Sequence, residues 1–151
     1  RQAVTALTEI KGPIILDIPS DPASLFLVRC LMERLSQRLG FPEKEVERMV
    51  LAVDEACTNV IRHAYGGRTD ERILLTIMVG GDRLEIHVRD FGAPADPNFF
   101  QPRELEDLRP GGLGMHFIKN GMDEVDYRIH PEGGMLLKLV KFRVEKETVD
   151  R

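Results

Sequence analysis

Apolar residues at steps of three and four predict a helix in the segment between Pro22 and Gly40. The repeating positions share one helix face and are Leu25, Val28, Met32, Leu35 and Leu39. Asp21 followed by Pro22 is typical of a helix start, and Gly40 is typical of a helix end. Before this helix, the apolar run from Ile14 to Ile18 predicts a short strand that Pro19 closes.

A second, longer helix is predicted from Pro42 towards Tyr65, where a pair of glycines follows. Its apolar arc consists of Val46, Met49, Val50, Val53, Cys57, Val60, Ile61 and Ala64. Glu55 and Asn59 lie four residues apart, so they share a face of this helix. Because the helical wheel puts that face opposite the apolar arc, we expect both side chains to point away from the core.

Two strands are predicted at 72–79 and 84–90, joined by a glycine-bearing connection that suits a hairpin. In the second strand apolar and polar residues alternate, so one side is expected to face solvent. The same two-residue period puts Asp90 on the apolar side at the end of the strand. A buried carboxylate is costly unless a partner compensates it. Asp90 is therefore either a binding residue or a structural cap of the turn at Gly92.

The segment 91–111 is predicted to be a lid or a binding loop. It contains four prolines and an acidic cluster and has no sustained periodicity. About twenty such residues inside a compact domain are typical of a functional loop. The elements predicted beyond it are a short helix over 112–121, a strand over 124–130, a turn over 131–134 and a last strand over 135–144.

Composition and charge narrow the functional classes. The chain has 151 residues, 42% of them hydrophobic and 30% charged, so we expect a single globular domain over 1–151. The net charge of −4 without a basic block disfavours nucleic acid as a partner, and no apolar run is long enough to span a bilayer. Cys30 and Cys57 lie inside helical patterns, so we expect buried reduced thiols and a cytoplasmic location. Because residue 1 is Arg, the sequence is compatible with a piece of a longer protein.

The candidate functional residues are weak evidence when each is taken alone. A glutamate and an asparagine four residues apart on a helix most often belong to a solvated face. His63 is more often a surface residue than a catalytic one. The segment Gly111 to Gly114 lies just before a helix, where free backbone amides favour phosphate, although such a turn is also an ordinary hinge.

The order of these features resembles the GHKL ATPase superfamily. A helix with Glu-x-x-x-Asn is followed by a hairpin that ends in Asp-x-Gly, then by a proline-rich segment, then by Gly-x-Gly at the start of a helix. The similarity spans most of the chain. Within the superfamily, the stretch from Leu51 to Tyr65 resembles the anti-sigma-factor serine/threonine kinase branch of bacteria.

The resemblance implies a pocket for ATP with Mg²⁺. Asn59 would hold the Mg²⁺ that bridges the phosphates, Asp90 would accept a hydrogen bond from the adenine amino group, and Gly92 would let the backbone approach the base. Glu55 would be the general base for a Ser or Thr hydroxyl that attacks the γ-phosphate. The implied cofactor-binding set is completed by His63, Arg109, Gly111, Gly112, Leu113, Gly114 and Met115.

Two positions depart from the pattern of the family. Where the family usually has a further glycine two places after Asp-x-Gly, this sequence has Pro94, which fixes φ and removes an amide donor. After the late turn the family commonly has Gly-Thr, with a hydroxyl near adenine, whereas this sequence has Gly134-Met135. We therefore expect weaker adenine binding than in other members.

The resemblance implies an α+β fold of the Bergerat type, a two-layer α/β sandwich with about three helices on one face of a mixed, mainly antiparallel sheet. The expected function is that of a Mg-ATP-dependent protein serine/threonine kinase and anti-sigma factor, which holds a sigma factor and phosphorylates a small antagonist protein. The alternative is an ATP-binding partner-switch module that transfers no phosphate. ATP hydrolysis that drives a conformational cycle would need further domains.

The first predicted helix has more apolar surface than one packed face requires. Phe26, Leu27 and Cys30 lie outside its repeating stripe. We therefore expect a homodimer or a partner-protein interface there. This agrees with the resemblance, because members of the family dimerise and contact sigma through this region, and Arg29 is the charged residue expected near the partner. The alternative is that Phe26 and Leu27 pack under the N-terminal strand.

Overall fold

The structure, a computed structural model, describes residues 10–92 and 112–143, with no side chains described at 112–114. Its two layers are a five-stranded sheet and three helices packed on it. The strands are β1 (Ile14–Pro19), β2 (Arg72–Val79), β3 (Arg83–Arg89), β4 (Glu124–Ile129) and β5 (Met135–Phe142). The helices are α1 (Leu25–Arg38), α2 (Glu43–Asn59) and α3 (Gly112–Gly121). The expected two-layer α+β fold is thereby confirmed.

The strand order is β1-β2-β3-β5-β4, and all four neighbouring pairs in the described sheet are antiparallel. The expectation of a mixed sheet is therefore wrong for this part of the chain. The physical reason is that two helices, rather than one, separate β1 from β2, and a pair of helices returns the chain to the end of the sheet that it left. β3 is the central strand, so the residues that follow it lie in the middle of one end of the sheet, where the strands terminate.

The core fills the space between the sheet and the helices. The alternating positions of β2, Ile73, Leu75 and Ile77, are fully buried, as are Met49 and Val53 on the facing side of α2. The helical and strand periods seen in the sequence therefore identify the two sides of one core. None of the helices in the described residues is both long and apolar enough to cross a membrane.

The two cysteines differ in their surroundings, although both were expected to be buried. Cys57 is fully buried on α2, and burial raises the pKa of its thiol to about 12, which makes it unreactive. Cys30 is exposed, because it lies on the side of α1 away from the packed stripe. The expectation of a buried thiol is thus wrong for Cys30.

The second predicted helix changes geometry before its end. α2 is α-helical only to Asn59, and Val60–Ala64 form a π-helical turn. Tyr65 N donates to Val60 O, five residues back, at 3.1 Å. Because a π turn holds more residues than an α turn, a wheel drawn at a constant 3.6 residues per turn loses register after Asn59. π turns inside helices are frequent at functional sites.

α3 lies in close contact with α2. A Cβ at Gly121 would be only 2.6 Å from the Cβ of Ala52 and would overlap the carbonyl oxygen of Arg48. Only glycine therefore allows the two helices to approach so closely at this point. This contact fixes α3, which begins with the Gly-x-Gly sequence, against the helix that carries Glu55 and Asn59.

Candidate functional site

A pocket lies between the end of α2 and the central strands of the sheet. It is lined by Ala56, Asn59, Val60, Ala64, Val88, Asp90, Tyr127, Met135 and Leu137. Its cavity volume of about 20 Å³ has room for roughly one water. The walls are mostly apolar, with an amide, a carboxylate and a phenol among them. A few polar groups that converge in an apolar pocket are typical of a ligand site.

Asp90 is buried at the end of β3, as its position in the alternating pattern predicted, and is only 3% exposed. Its Oδ1 accepts hydrogen bonds from the backbone N–H of Gly92 at 3.1 Å and from that of Met135 at 3.2 Å. Burial raises the pKa of the carboxyl group, and these two hydrogen bonds oppose that shift. Within the described residues, Oδ2 accepts no hydrogen bond. Asp90 therefore caps its own turn with one oxygen and leaves the other without a hydrogen bond from the described residues.

Two glycines bring separate elements into contact around Asp90. Gly134, in the β4–β5 turn, has a φ of +76°, and a Cβ there would overlap the carbonyl oxygen of Asp90. A Cβ at Gly92 would lie 2.6 Å from the carbonyl oxygen of Ala64 in the π turn. The π turn, the residues that follow β3 and the β4–β5 turn thus meet at one point because neither position carries a side chain.

Asn59 is buried, with 5% exposure, and its Oδ1 has no hydrogen-bond partner among the described residues. The expectation that Asn59 points away from the core is wrong, because the end of α2 lies against the sheet and Asn59 lines the pocket there. Leaving a buried acceptor unpaired costs about 1–3 kcal/mol. A buried acceptor that is left unpaired in a pocket is typical of a ligand-binding position.

A single amide oxygen fits Mg²⁺ bound through a substrate. Mg²⁺ takes oxygen ligands, and in nucleotide sites one or two of them come from the protein, with phosphate oxygens and waters as the rest. In the part of the chain that is described, no three or more His, Cys, Asp or Glu side chains cluster in a way that could hold a metal ion. A divalent metal in this pocket would thus depend on Asn59 and on the oxygens of the ligand.

Glu55 lies one helical turn before Asn59 on α2 and does not line the pocket itself. It is partly buried, and it makes no hydrogen bond to the described residues. Burial raises the pKa of its carboxyl group, and the nearby charge of Arg62 opposes the shift. A carboxylate with a raised pKa is a stronger base than an ordinary surface glutamate.

The remaining candidate residues that the structure describes are not among those that line the pocket. His63 lies in the π turn, outside the lining of the pocket, and burial lowers its pKa. Gly112, Leu113 and Gly114 form the first turn of α3, as expected. Met115 is buried, and its sulfur accepts a hydrogen bond from the hydroxyl of Tyr127 at 3.0 Å. Arg109, Gly111, Pro94 and the rest of the predicted lid from residue 93 onward lie outside the described residues.

Sequence reasoning missed Tyr65, which does not line the pocket but holds the backbone next to Asp90. Its hydroxyl donates to Arg72 O at 2.6 Å and accepts from Phe91 N at 2.8 Å. The available signal was an aromatic residue with a polar tip at the end of an amphipathic helix, because a buried tyrosine hydroxyl usually finds a partner. Which partner it finds depends on the tertiary structure.

The fold and the pocket together define a domain of the histidine kinase-like ATPase class. The family model of the histidine kinase-like ATPase domain matches residues 18–141. In solved structures, the fold is similar to a chain of the SiaB–SiaC complex from Pseudomonas aeruginosa, with a TM-score of 0.63, 15% identity and coverage of 93% of this chain and 94% of that one. It is also similar to the RsbU and RsbW domains of Rv1364c from Mycobacterium tuberculosis, with a TM-score of 0.60, 14% identity and coverage of 87% of this chain but 32% of that one.

A curated relative narrows the assignment. The chain is 33% identical, over 156 residues, to the serine-protein kinase RsbW of Bacillus pumilus, a match that covers 95% of this chain and 93% of the relative. The chain therefore belongs to the histidine kinase-like ATPase family and, within it, to the RsbW serine-protein kinases.

Proposed function

We propose that the chain binds ATP with Mg²⁺ in the pocket at the end of α2, transfers the γ-phosphate to a serine or threonine of a small antagonist protein, and holds a sigma factor as an anti-sigma factor. The observation that carries the proposal is one pocket lined by both Asn59, whose buried Oδ1 has no partner among the described residues, and Asp90, whose Oδ1 takes both of the hydrogen bonds that its carboxylate accepts there. We further propose that residues 1–151 form one domain that works in the cytoplasm, where ATP and sigma factors are found.

Asn59 and Asp90 would contact opposite ends of ATP, most of which would lie outside the small enclosed cavity. Asp90 Oδ2 would accept a hydrogen bond from the 6-amino group of adenine, and Gly92 would allow the backbone to approach the base. Asn59 would hold the Mg²⁺, which when bound neutralises charge on the phosphates. The amides of Gly112 and Gly114 at the start of α3 would bind phosphate, because a helix N-terminus favours anions. His63, Arg109, Gly111, Leu113 and Met115 would complete the surroundings of the nucleotide.

Glu55 would accept the proton of the attacking hydroxyl. Its position one turn from Asn59 would bring it near the γ-phosphate end of the nucleotide, and its raised pKa suits the role. The test of the whole proposal is transfer of label from [γ-³²P]ATP to a purified candidate antagonist protein. Labelled antagonist is the expected result.

A switch module without phosphoryl transfer is the second candidate function. Met135 favours it, because an apolar side chain lines the pocket where the family commonly has a hydroxyl near adenine. In that case wild-type protein would bind ATP and change its affinity for a partner, but no label would reach the antagonist. The absence of ATP binding at millimolar nucleotide would contradict both functions.

Asn59→Ala should remove most of the affinity that Mg²⁺ adds to ATP binding, because the substitution deletes the one amide oxygen available to the metal. The apo fold should lose no stability through the deleted oxygen, since that oxygen had no partner among the described residues. Calorimetric titrations of ATP with Mg²⁺ and with EDTA measure the difference. Asn120→Ala, an exposed position on α3, is the matched control. A variant with undiminished Mg²⁺ dependence would exclude Asn59 as the ligand.

The exposed side of α1 is the proposed protein interface. Phe26 is 52% exposed and Leu27 47% exposed, so in the described residues they do not pack under β1. Arg29 lies between these residues and Cys30, and its guanidinium pairs with Asp54 of α2 at 2.9 Å while the side chain stays 46% exposed. Such apolar surface beside an accessible cation is typical of a protein interface. We propose that a second copy of the chain or the sigma factor covers it.

Phe26→Glu combined with Leu27→Glu should give a folded protein that stays monomeric, because two charges on this surface would oppose the burial of an interface. Sedimentation velocity of wild type and variant at equal concentration measures the change. Ile129→Glu, at a residue of β4 that is 50% exposed, controls for the effect of added charge. Monomeric wild-type protein at high concentration would exclude the homodimer, and an unfolded double variant would show that both side chains belong to the core.

A further inference from the structure

Tyr65 joins three elements through one hydroxyl group. It follows the π turn directly, and it is 2% exposed. The hydroxyl donates to Arg72 O at the start of β2 and accepts from the backbone N–H of Phe91, which follows Asp90. Both directions of hydrogen bonding are used, so no other ring of the same shape can replace it without leaving buried backbone groups unpaired.

The backbone around Asp90 is held at three successive amides. Asp90 N donates to Met135 O at 3.0 Å, Phe91 N donates to the Tyr65 hydroxyl at 2.8 Å, and Gly92 N donates to Asp90 Oδ1 at 3.1 Å. The first bond is to the neighbouring strand, and the third lies within the turn. Of these three hydrogen bonds, the one that the Tyr65 hydroxyl accepts is therefore the one that ties this turn to the residues at the end of the second helix.

The opposite side of the turn is held by a charged neighbour. The Arg89 guanidinium lies 4.7 Å from the centroid of the Phe91 ring, and it donates to Gly133 O at 3.1 Å. Phe91 is thus fixed by its ring towards the β4–β5 turn and by its amide towards Tyr65. Because Asp90 is the residue between these restraints and β3, the direction of its carboxylate depends on them.

We propose that Tyr65 is a positioning residue that aims Asp90 Oδ2 into the pocket by holding the amide of Phe91, and that it thereby sets the preference of this site for nucleotides with a 6-amino group. The inference rests on the proposed function, in which Asp90 accepts a hydrogen bond from adenine. It assigns to Tyr65 no contact with the nucleotide and no part in phosphoryl transfer.

Tyr65→Phe separates this role from a purely structural one. Calorimetry is carried out with ATP and with purine riboside triphosphate, which lacks the 6-amino group. The variant should bind ATP roughly three- to tenfold more weakly, the range expected for one misdirected hydrogen bond, and should bind the analogue as wild type does. In kinase assays KM for ATP should rise while kcat stays constant. Ile77→Val, a core substitution on β2 opposite Ile86 and away from the turn, should leave the preference unchanged.

The outcomes distinguish the inference from the function on which it rests. In combination with Asp90→Asn, Tyr65→Phe should weaken ATP binding no further, because both act on one contact. Equal loss of ATP and analogue binding in Tyr65→Phe would overturn the positioning role and leave ATP binding intact. Wild-type protein that binds neither nucleotide would overturn both. An unfolded Tyr65→Phe protein would also contradict the inference, because the hydroxyl would then hold the fold rather than the turn.

Discussion

Asp90→Asn should weaken ATP binding roughly 10- to 150-fold, the loss of about 1.5–3 kcal/mol expected for a hydrogen bond to a charged group. The geometry makes the substitution more damaging than the loss of charge alone. Oδ1 accepts two backbone N–H groups, so the oxygen of an asparagine must stay there. Its NH₂ group then replaces Oδ2 in the pocket and presents a donor to the donor on adenine.

The fold of the Asp90→Asn protein should be at least as stable as wild type at neutral pH. Burial raises the pKa of Asp90 in the folded state, so folding favours the protonated carboxyl group. That contribution to stability is fully present below the unfolded pKa of about 3.9 and is lost as pH rises through the higher folded pKa. Asparagine has no charge to bury, so the free energy of unfolding of the Asp90→Asn protein does not fall as pH rises through that pKa.

Titration calorimetry and thermal melts on the same samples test both parts of the prediction. In wild type, ATP affinity should also fall as pH is lowered through the raised pKa, because a protonated carboxyl group no longer accepts freely. Asp126→Asn, a half-exposed carboxylate paired with Arg128 on β4, is the control and should change neither quantity much. Unchanged ATP affinity in Asp90→Asn would remove Asp90 from the site.

The sequence predicted well the features that depend on the repeat of apolar residues within one strand or one helix. Alternation along β3 placed Asp90 on the buried side, and the structure confirms this. The helical stripe of α1 predicted which residues pack and left Phe26 and Leu27 outside it, where they are exposed. These inferences need only the repeat of one element and the existence of a core.

What the sequence could not predict depends on contacts between distant elements. Asn59 was expected on a solvated face, but the sheet covers it at the end of α2. The π turn after it follows from no residue pattern that we recognise. The bond from Tyr65 to Phe91 joins residues 26 positions apart, and it requires the return of the chain through β2 and β3. The two-helix connection that makes the sheet wholly antiparallel is likewise a property of the topology.

Glu55→Gln should abolish phosphoryl transfer to the antagonist while ATP binding with Mg²⁺ stays close to that of wild type. Removing a general base typically costs about 10²–10⁴ in rate. The amide is nearly the same size as the carboxylate, so the helix and the pocket remain intact, but it cannot take the proton of the attacking hydroxyl. Because Glu55 does not line the described pocket, the nucleotide should lose little affinity.

The pH dependence of transfer gives an independent check on Glu55. Burial raises the pKa of its carboxyl group, and a base must be deprotonated to act, so the rate should fall on the acid side around a pKa above the ordinary glutamate value of about 4.3. Single-turnover assays with labelled ATP measure this limb, and calorimetry measures binding separately. Glu47→Gln, an exposed residue two turns earlier on the same helix, removes the same charge and should keep full activity. If Glu55→Gln retains transfer at the wild-type rate, another group accepts the proton. If it loses ATP binding in parallel with transfer, Glu55 holds the nucleotide or the helix instead of acting as the base.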